Sequence, residues 1–289
     1  VYGGGLQGTA GAVVSNSSDG PISLTVSSTA GDVYLSQALS YTGNTATNGT
    51  VTVAGPGRVT LQNDSALGVG RLVLSSSVPF NVRANLTSTG TATINAGSTL
   101  RLAGAAGRLS SGSHSAAIVN SGSLVYASGS NQILSGVISG TGALGLAGDG
   151  VVTTGSLTLS GANAFSGATT LTAGSLVLDY STQNNQKLSS TAALSLGNAA
   201  ISLAGGSFGE TVLSTSLTPG AATISRSSGN ATLNLNAITR STGATLNLGA
   251  ASIATTDNTN TSGILGGWAT VAGADWAANS TNEIGRAHV

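Results

Sequence analysis

The chain has 289 residues with nine acidic and nine basic groups, only 6% charged and 3% aromatic, against 40% hydrophobic and 43 glycines. Charges this sparse and scattered form no basic stripe for nucleic acid, and the absence of Cys excludes disulfides and thiolate metal sites. Abundant Leu, Val and Ile at zero net charge also set the chain apart from disordered sequences, which lack the aliphatics for a core.

The chain opens in mid-pattern at Val1-Tyr2-Gly3, without Met or a leader, which suggests that a preceding part of the parent protein is missing. Ile22-Ser23-Leu24-Thr25-Val26 then alternates aliphatic and hydroxyl residues, and Arg71-Leu72-Val73-Leu74 opens a second such run. Gly155 to Ser160, Ala193 to Leu196 and Ala244 to Leu248 repeat it. Period-2 alternation between Gly and Asn turns predicts short half-buried strands. Helical spacing is not evident over any window of 11 residues, and no apolar run reaches the roughly 18 residues of a membrane-spanning helix.

The strands recur at a rough period. Gly-Ser-Leu occurs at Gly122, Gly155 and Gly174, the last two 19 residues apart; Leu124 and Leu144 are 20 apart, and Leu176 and Leu194 are 18 apart. A period near 20 predicts an all-β parallel β-helix or solenoid, elongated and with little or no helix. At roughly 20–24 residues per rung this gives about a dozen rungs, a rod on the order of 60 Å. Inward Leu, Val and Ile would stack along the axis, Ser and Thr would face outward, and Gly and Asn would turn the corners. A flat antiparallel array is the alternative, with Asn48-Gly49 as its hairpin turn.

Four stretches are distinguished. Residues 1–130 form degenerate rungs, 131–186 hold the clearest repeat, and 187–282 continue as a β-rich segment. Residues 283–289, Glu-Ile-Gly-Arg-Ala-His-Val, resemble the translation of a short-read sequencing adapter and are set aside as a scar expected to pack on nothing.

Leu157 to Leu176, with Gly161, Asn163, Ser166, Gly167, Thr169, Thr170, Gly174 and Leu176 at the key positions, resembles the autotransporter-associated β-strand repeat of bacterial surface proteins. Phe165 stands where that motif has Tyr, and Ala168 where a second Gly is common. Tyr41 to Val51 is similar to a worn copy, and Leu178 to Ser181, Ala192 to Leu203, and Gly263 to Thr270 with Asp275 to Ala277 look like the tail that follows such repeats. The resemblance implies an exported β-helical passenger acting as a stalk, coat or adhesive surface, extracellular or on the outer cell surface.

Candidate sites are few. Gly140 to Gly145 satisfies G-x-G-x-x-G, but no helical pattern follows, and Phe165 stands where a ribose-binding acid would be. His114, in Ser111-Gly112-Ser113-His114-Ser115, reads as a solvated loop residue with neither a triad partner nor a second His for a metal. Asp19, Asp32, Asp64, Asp149 and Asp179 are too thinly spread to suggest the close carboxyl pair of a glycosidase. Trp268 and Trp276 are read as cover for the last rungs, with a sugar-stacking face as the alternative. The expectation is therefore a non-enzymatic segment without catalytic, metal or cofactor residues. Surface glycans or matrix components are its expected partners, together with end-to-end self-association through open strand edges. A carbohydrate-binding surface on the same rod is the second reading, and a β-helix polysaccharide lyase or hydrolase the third.

Overall fold

The computed structural model describes residues 71–87, 90–150 and 154–287, together with six strands between Val13 and Leu61. Short parallel strands coil into a β-solenoid of about nine turns, fewer than the dozen expected. Successive partners on one face lie 19 to 27 residues apart, as in Leu157↔Leu176 and Leu24↔Val51, so most turns take more chain than the nominal period. The ten-stranded sheet, parallel throughout, spans about 45 Å at roughly 4.8 Å per strand. One 3₁₀ turn, Ser110–Gly112, is the only helical element among the described residues.

Three faces are built. Face 1 has seven strands, from Ser23–Ser27 to Ala164–Phe165. Face 2 has ten, from Val33–Leu35 to Ile238–Arg240, and face 3 begins at Ser113–His114. Alternation sets which side chains enter: in Ala143–Leu146 and in Ser156–Leu159, every second residue is buried. One inward column on face 2 runs Phe80–Leu100–Leu124–Leu144–Thr169–Leu194–Thr215–Ile238. A second runs Val82–Leu102–Tyr126–Leu146–Leu171–Leu196–Leu217. Stacking like on like keeps both columns dry and ties register to the core, because a one-residue slip would turn every aliphatic outward.

Two of the spacings found in the sequence are true neighbours: Leu124 pairs Leu144, and Leu157 pairs Leu176. Leu176 and Leu194 are not; Leu176 pairs Ile201 on face 3 while Leu194 pairs Thr169 on face 2. Each turn holds several strands, so spacings of similar size also occur between different faces. Asn48-Gly49, Asp19, Asp32, Asp64 and the middle of the 41–51 segment lie outside the described residues.

Face 1 ends at Ala164–Phe165. From Gly209–Thr211 onward a different run of three parallel strands, with Thr232–Asn234 and Ala254–Thr255, takes its place in the chain order and joins the sheet of face 3 through Glu283–Arg286. Between them the chain passes through 180–193 without a strand.

The C-terminal end corrects two expectations. Strand Asp275–Ser280 pairs antiparallel with Ala269–Val271 and with Glu283–Arg286, so the edge of face 3 is covered rather than open. The segment set aside as a scar packs: Ile284 is fully buried, and Arg286 Nη1 lies 3.1 Å from Asp275 Oδ2. Alternation explains this, since Ile284 is the one aliphatic of Glu283–Arg286 and meets the apolar end of the solenoid. Trp268 packs against the core as expected, but Trp276 stands 46% exposed on the outside of the hairpin.

Candidate functional site

The repeat-like stretch 157–176 shows how each turn is fastened to the next. Phe165 points into the core. Gly174 holds φ +79°, a corner that side chains with a Cβ rarely adopt. At Gly167 the limit is space, because a Cβ would fall 2.1 Å from the carbonyl oxygen of Gly142 on the turn below. Asn163 joins three turns: its Oδ1 accepts from the Ile138 N–H at 3.0 Å, and its Nδ2 donates to the Lys187 carbonyl at 3.1 Å.

That last bond leads to the least expected feature of the molecule. Where face 1 is missing, the backbone around Lys187 and Leu188 has side chains for partners instead of a neighbouring strand. Asn163 takes the Lys187 carbonyl from below, and Glu210 accepts the N–H groups of Lys187 and Leu188 at 2.8 and 3.2 Å from above. The remaining capacity of Glu210 Oε2 is taken by the Tyr180 hydroxyl, donating at 2.8 Å. Lys187 Nζ donates to the carbonyls of Gln183 at 2.7 Å, Gly161 at 3.0 Å and Ser160 at 3.3 Å, and to Asn185 Oδ1 at 2.8 Å. The ammonium also lies 5.5 Å from the Tyr180 ring centre, within cation–π range, and that ring stacks on Phe208.

All three ionisable groups are sealed: Lys187 and Glu210 are 0% exposed and Tyr180 is 1%. Burial holds the Glu210 carboxyl above the ordinary carboxylate range, against the pull of its hydrogen-bond donors. It pushes the Lys187 amine down, and it drives the Tyr180 phenol far up, with the adjacent Glu210 adding to the effect. Perturbed groups of this kind often mark active sites. Here no substrate can touch them: Asn163, Glu210 and the Ser160 and Gly161 carbonyls tie Lys187 and Leu188 to the turns on either side, and Gln183 and Asn185 hold the ammonium from within its own segment, so the cluster is a clasp that closes the gap between two faces.

A second constellation is exposed. Asp149, on the connection after strand Ala143–Leu146, reaches Arg101 two turns away and Arg83 three turns away, whose Nη2 atoms lie 3.2 and 3.4 Å from its Oδ1. Its Oδ2 accepts the Gly104 N–H at 3.1 Å, and Arg101 also donates to the Gly148 carbonyl at 3.4 Å.

The residues weighed in the sequence fall apart in space. Asp179 caps its own turn, accepting from the Ser181 N–H at 2.9 Å and hydroxyl at 2.6 Å, while Asp149 faces arginines. His114 is corrected from solvated to buried, at 1% exposure. It lies in strand Ser113–His114, paired with Gln132–Leu134, with its Nδ1 3.0 Å from Ser110 Oγ. The side chains ordering that turn are amides, not carboxylates: Asn85 Oδ1 accepts the Ser111 N–H and Gln132 Oε1 the Leu109 N–H, both at 2.7 Å. Gly140 to Gly145 runs from strand Ile138–Gly140 through a corner into strand Ala143–Leu146, with no helix to face a pyrophosphate.

Geometry thus defines the class as a parallel β-solenoid with a buried charged clasp and, at its surface, an aspartate held between two arginines. No family model matches the chain, and neither a curated protein nor a solved structure does. Among the described residues there is no group of three or more His, Cys, Asp or Glu placed to hold a metal, and no helix long and apolar enough to cross a membrane.

Proposed function

We propose that this chain is a non-enzymatic, structural or adhesive segment of a bacterial cell-surface β-solenoid. The observation that carries the reading is the use to which the ionisable groups are put. Glu210, Lys187, Asp179 and Asp149 are each engaged in joining or capping turns, and the outward rows of faces 2 and 3 are dominated by small uncharged side chains such as Thr170, Ser195, Ser216, Ser202 and Ser225. Such a surface suits a rod that must persist and present area rather than turn over a substrate. The likeness of 157–176 to the autotransporter-associated repeat supports an exported, autotransporter-type passenger as the parent. Among partners, glycans are favoured over end-to-end association, since the antiparallel hairpin covers the edge of face 3.

Antibodies raised against this chain should label intact cells of the source organism, and protease added outside should remove the label. Signal that appears only after lysis would overturn the surface reading. Release of reducing ends from any of a panel of polysaccharides would overturn the non-enzymatic one.

A further inference from the structure

The contact made by Asp149 has the form of a ligand in a receptor. One carboxylate oxygen faces two guanidinium groups, Arg101 at 3.2 Å and Arg83 at 3.4 Å, and the other takes the Gly104 N–H at 3.1 Å. The carboxylate is 3% exposed, whereas the arginines are 27% and 45% exposed and stay reachable from solvent. The pairing is not imposed by neighbouring sequence: Asp149 comes from a connection that crosses from strand Ala143–Leu146 back to the turns of Thr99–Gly104 and Phe80–Val82. Charge along the chain gives an independent sign. Between Asp64 and Asp149 the sequence holds Arg71, Arg83, Arg101 and Arg108 and no acid, and among the described residues Asp149 is the carboxylate brought to this basic stretch.

We propose that Arg83, Arg101 and the Gly104 N–H form a carboxylate-binding site for a uronate-bearing polysaccharide, with Asp149 as its built-in competitor. Two guanidinium groups and a backbone N–H can grip both oxygens of a sugar carboxylate as they grip those of Asp149. A polymer fits better than a folded acidic partner. The row containing Arg101 continues along face 2 through Val125 and Gly145, a low track on which an extended chain can lie, and two guanidinium groups against one carboxylate leave a net positive charge that favours a polyanion. Competition from Asp149 lowers the apparent affinity by the fraction of time the site is filled, so a site occupied about nine-tenths of the time binds about tenfold more weakly. This deepens the adhesive reading by naming what the surface holds. It is tested by binding alone, so its failure would leave the cell-surface labelling result untouched.

The test uses the whole chain titrated calorimetrically with trigalacturonate. Asp149→Asn should bind about tenfold more tightly than the unaltered protein, and adding Arg101→Gln to it should abolish the gain. Because Asp149→Asn could loosen the connection, circular dichroism is checked, and a second comparison stands by itself. Arg101→Gln alone, at a half-exposed position, should weaken trigalacturonate binding at low salt at least about fivefold. Equal binding by the unaltered protein and Arg101→Gln would overturn the proposal. So would an Asp149→Asn protein, folded by circular dichroism, that binds no more tightly than the unaltered chain. Dextran sulfate or an acidic peptide bound more tightly than trigalacturonate would overturn the ligand class, and neutral dextran should not bind.

Discussion

The turns between Ile118 and Asp179 and those after Lys187 solve one problem in two ways. In the first region each turn visits three faces, and the backbone of one strand is satisfied by the next, as in Ile118↔Ile138 and Leu157↔Leu176. At 180–193 one face has no strand, and the same backbone groups are met by Asn163, Glu210 and Lys187 side chains. A solenoid can therefore change its cross-section without leaving buried N–H and C=O groups unpaired, provided long polar side chains replace the missing ladder. The first region depends on small residues that let backbones approach, and the second on charged residues that span a gap.

The largest difference should appear on removing the span. Glu210→Ala leaves the Lys187 and Leu188 N–H groups, the Tyr180 hydroxyl and a buried ammonium without their carboxylate. Loss of one member of a buried charged cluster costs about 3–5 kcal/mol. Chemical denaturation should show that loss, with hydrogen exchange rising first at 180–193. A midpoint unchanged from the unaltered protein would mean the clasp holds nothing.

Alkaline titration separates the regions next. Tyr126, in a core column of the first, has its phenol pushed up to about 12 by burial, and Tyr180, in the clasp, is pushed higher still. Both folded values lie above the unfolded one, so the stability they confer is complete below about pH 10; that of Tyr126 is lost as pH rises through about 12, while that of Tyr180 goes on falling above it. Tyr126 accounts for about 2–3 kcal/mol of this loss, since each tenfold change in proton affinity is worth about 1.4 kcal/mol. Stability measured between pH 9 and 12 should fall more steeply than for Tyr126→Phe; parallel curves would refute the link.

Glycine substitutions come third. Gly167→Ala sets a Cβ 2.1 Å from the Gly142 carbonyl oxygen and 2.4 Å from its carbon, both backbone atoms that cannot swing aside. Overpacking of this kind costs about 1–3 kcal/mol. Gly209→Ala in the second region meets only Thr232 Oγ1 at 3.8 Å and should fall within about 0.5 kcal/mol of the unaltered protein. Equal melting temperatures for the two variants would show that the close stacking at Gly167 is not a constraint.

The regular region was legible in the sequence and the clasp was not, for a physical reason. Period-2 alternation reports a strand whose side chains divide between core and solvent, so Ser156–Leu159, Leu194–Leu196 and Ala244–Leu248 stand out from residue order alone. The Gly-Ser-Leu spacing even found the true pair Leu157↔Leu176. Nothing periodic marks Lys187 and Glu210, which lie 23 residues apart in a chain where isolated charges read as solvated. The one local sign was Lys187 within Gln183-Asn184-Asn185-Gln186-Lys187, a polar cluster interrupting the alternation. His114 misled for the converse reason: its serine neighbours resemble a loop, whereas Ser113–His114 is a short strand whose second residue points inward.

The smallest effect reverses sign between the regions and tests the account most finely. Thr169 and Thr215 occupy the same inward column of face 2, separated by Leu194, and both are buried among aliphatics. In the second region the Thr215 hydroxyl donates to the Leu235 carbonyl at 2.9 Å. In the first, Thr169 Oγ1 is buried without a hydrogen-bond partner among the described residues. Valine has nearly the shape of threonine, so exchanging one for the other changes the polar group while leaving the packing intact. Thr169→Val removes a desolvated hydroxyl and should raise stability by about 1 kcal/mol. Thr215→Val strands the Leu235 carbonyl and should lower it by about the same amount. Urea midpoints measured side by side give the result, with the double variant expected near the unaltered value because the two sites share no partner. A rise on Thr215→Val would show that the bond to Leu235 does not stabilise the column, and a fall on Thr169→Val that its hydroxyl does; either would overturn the account.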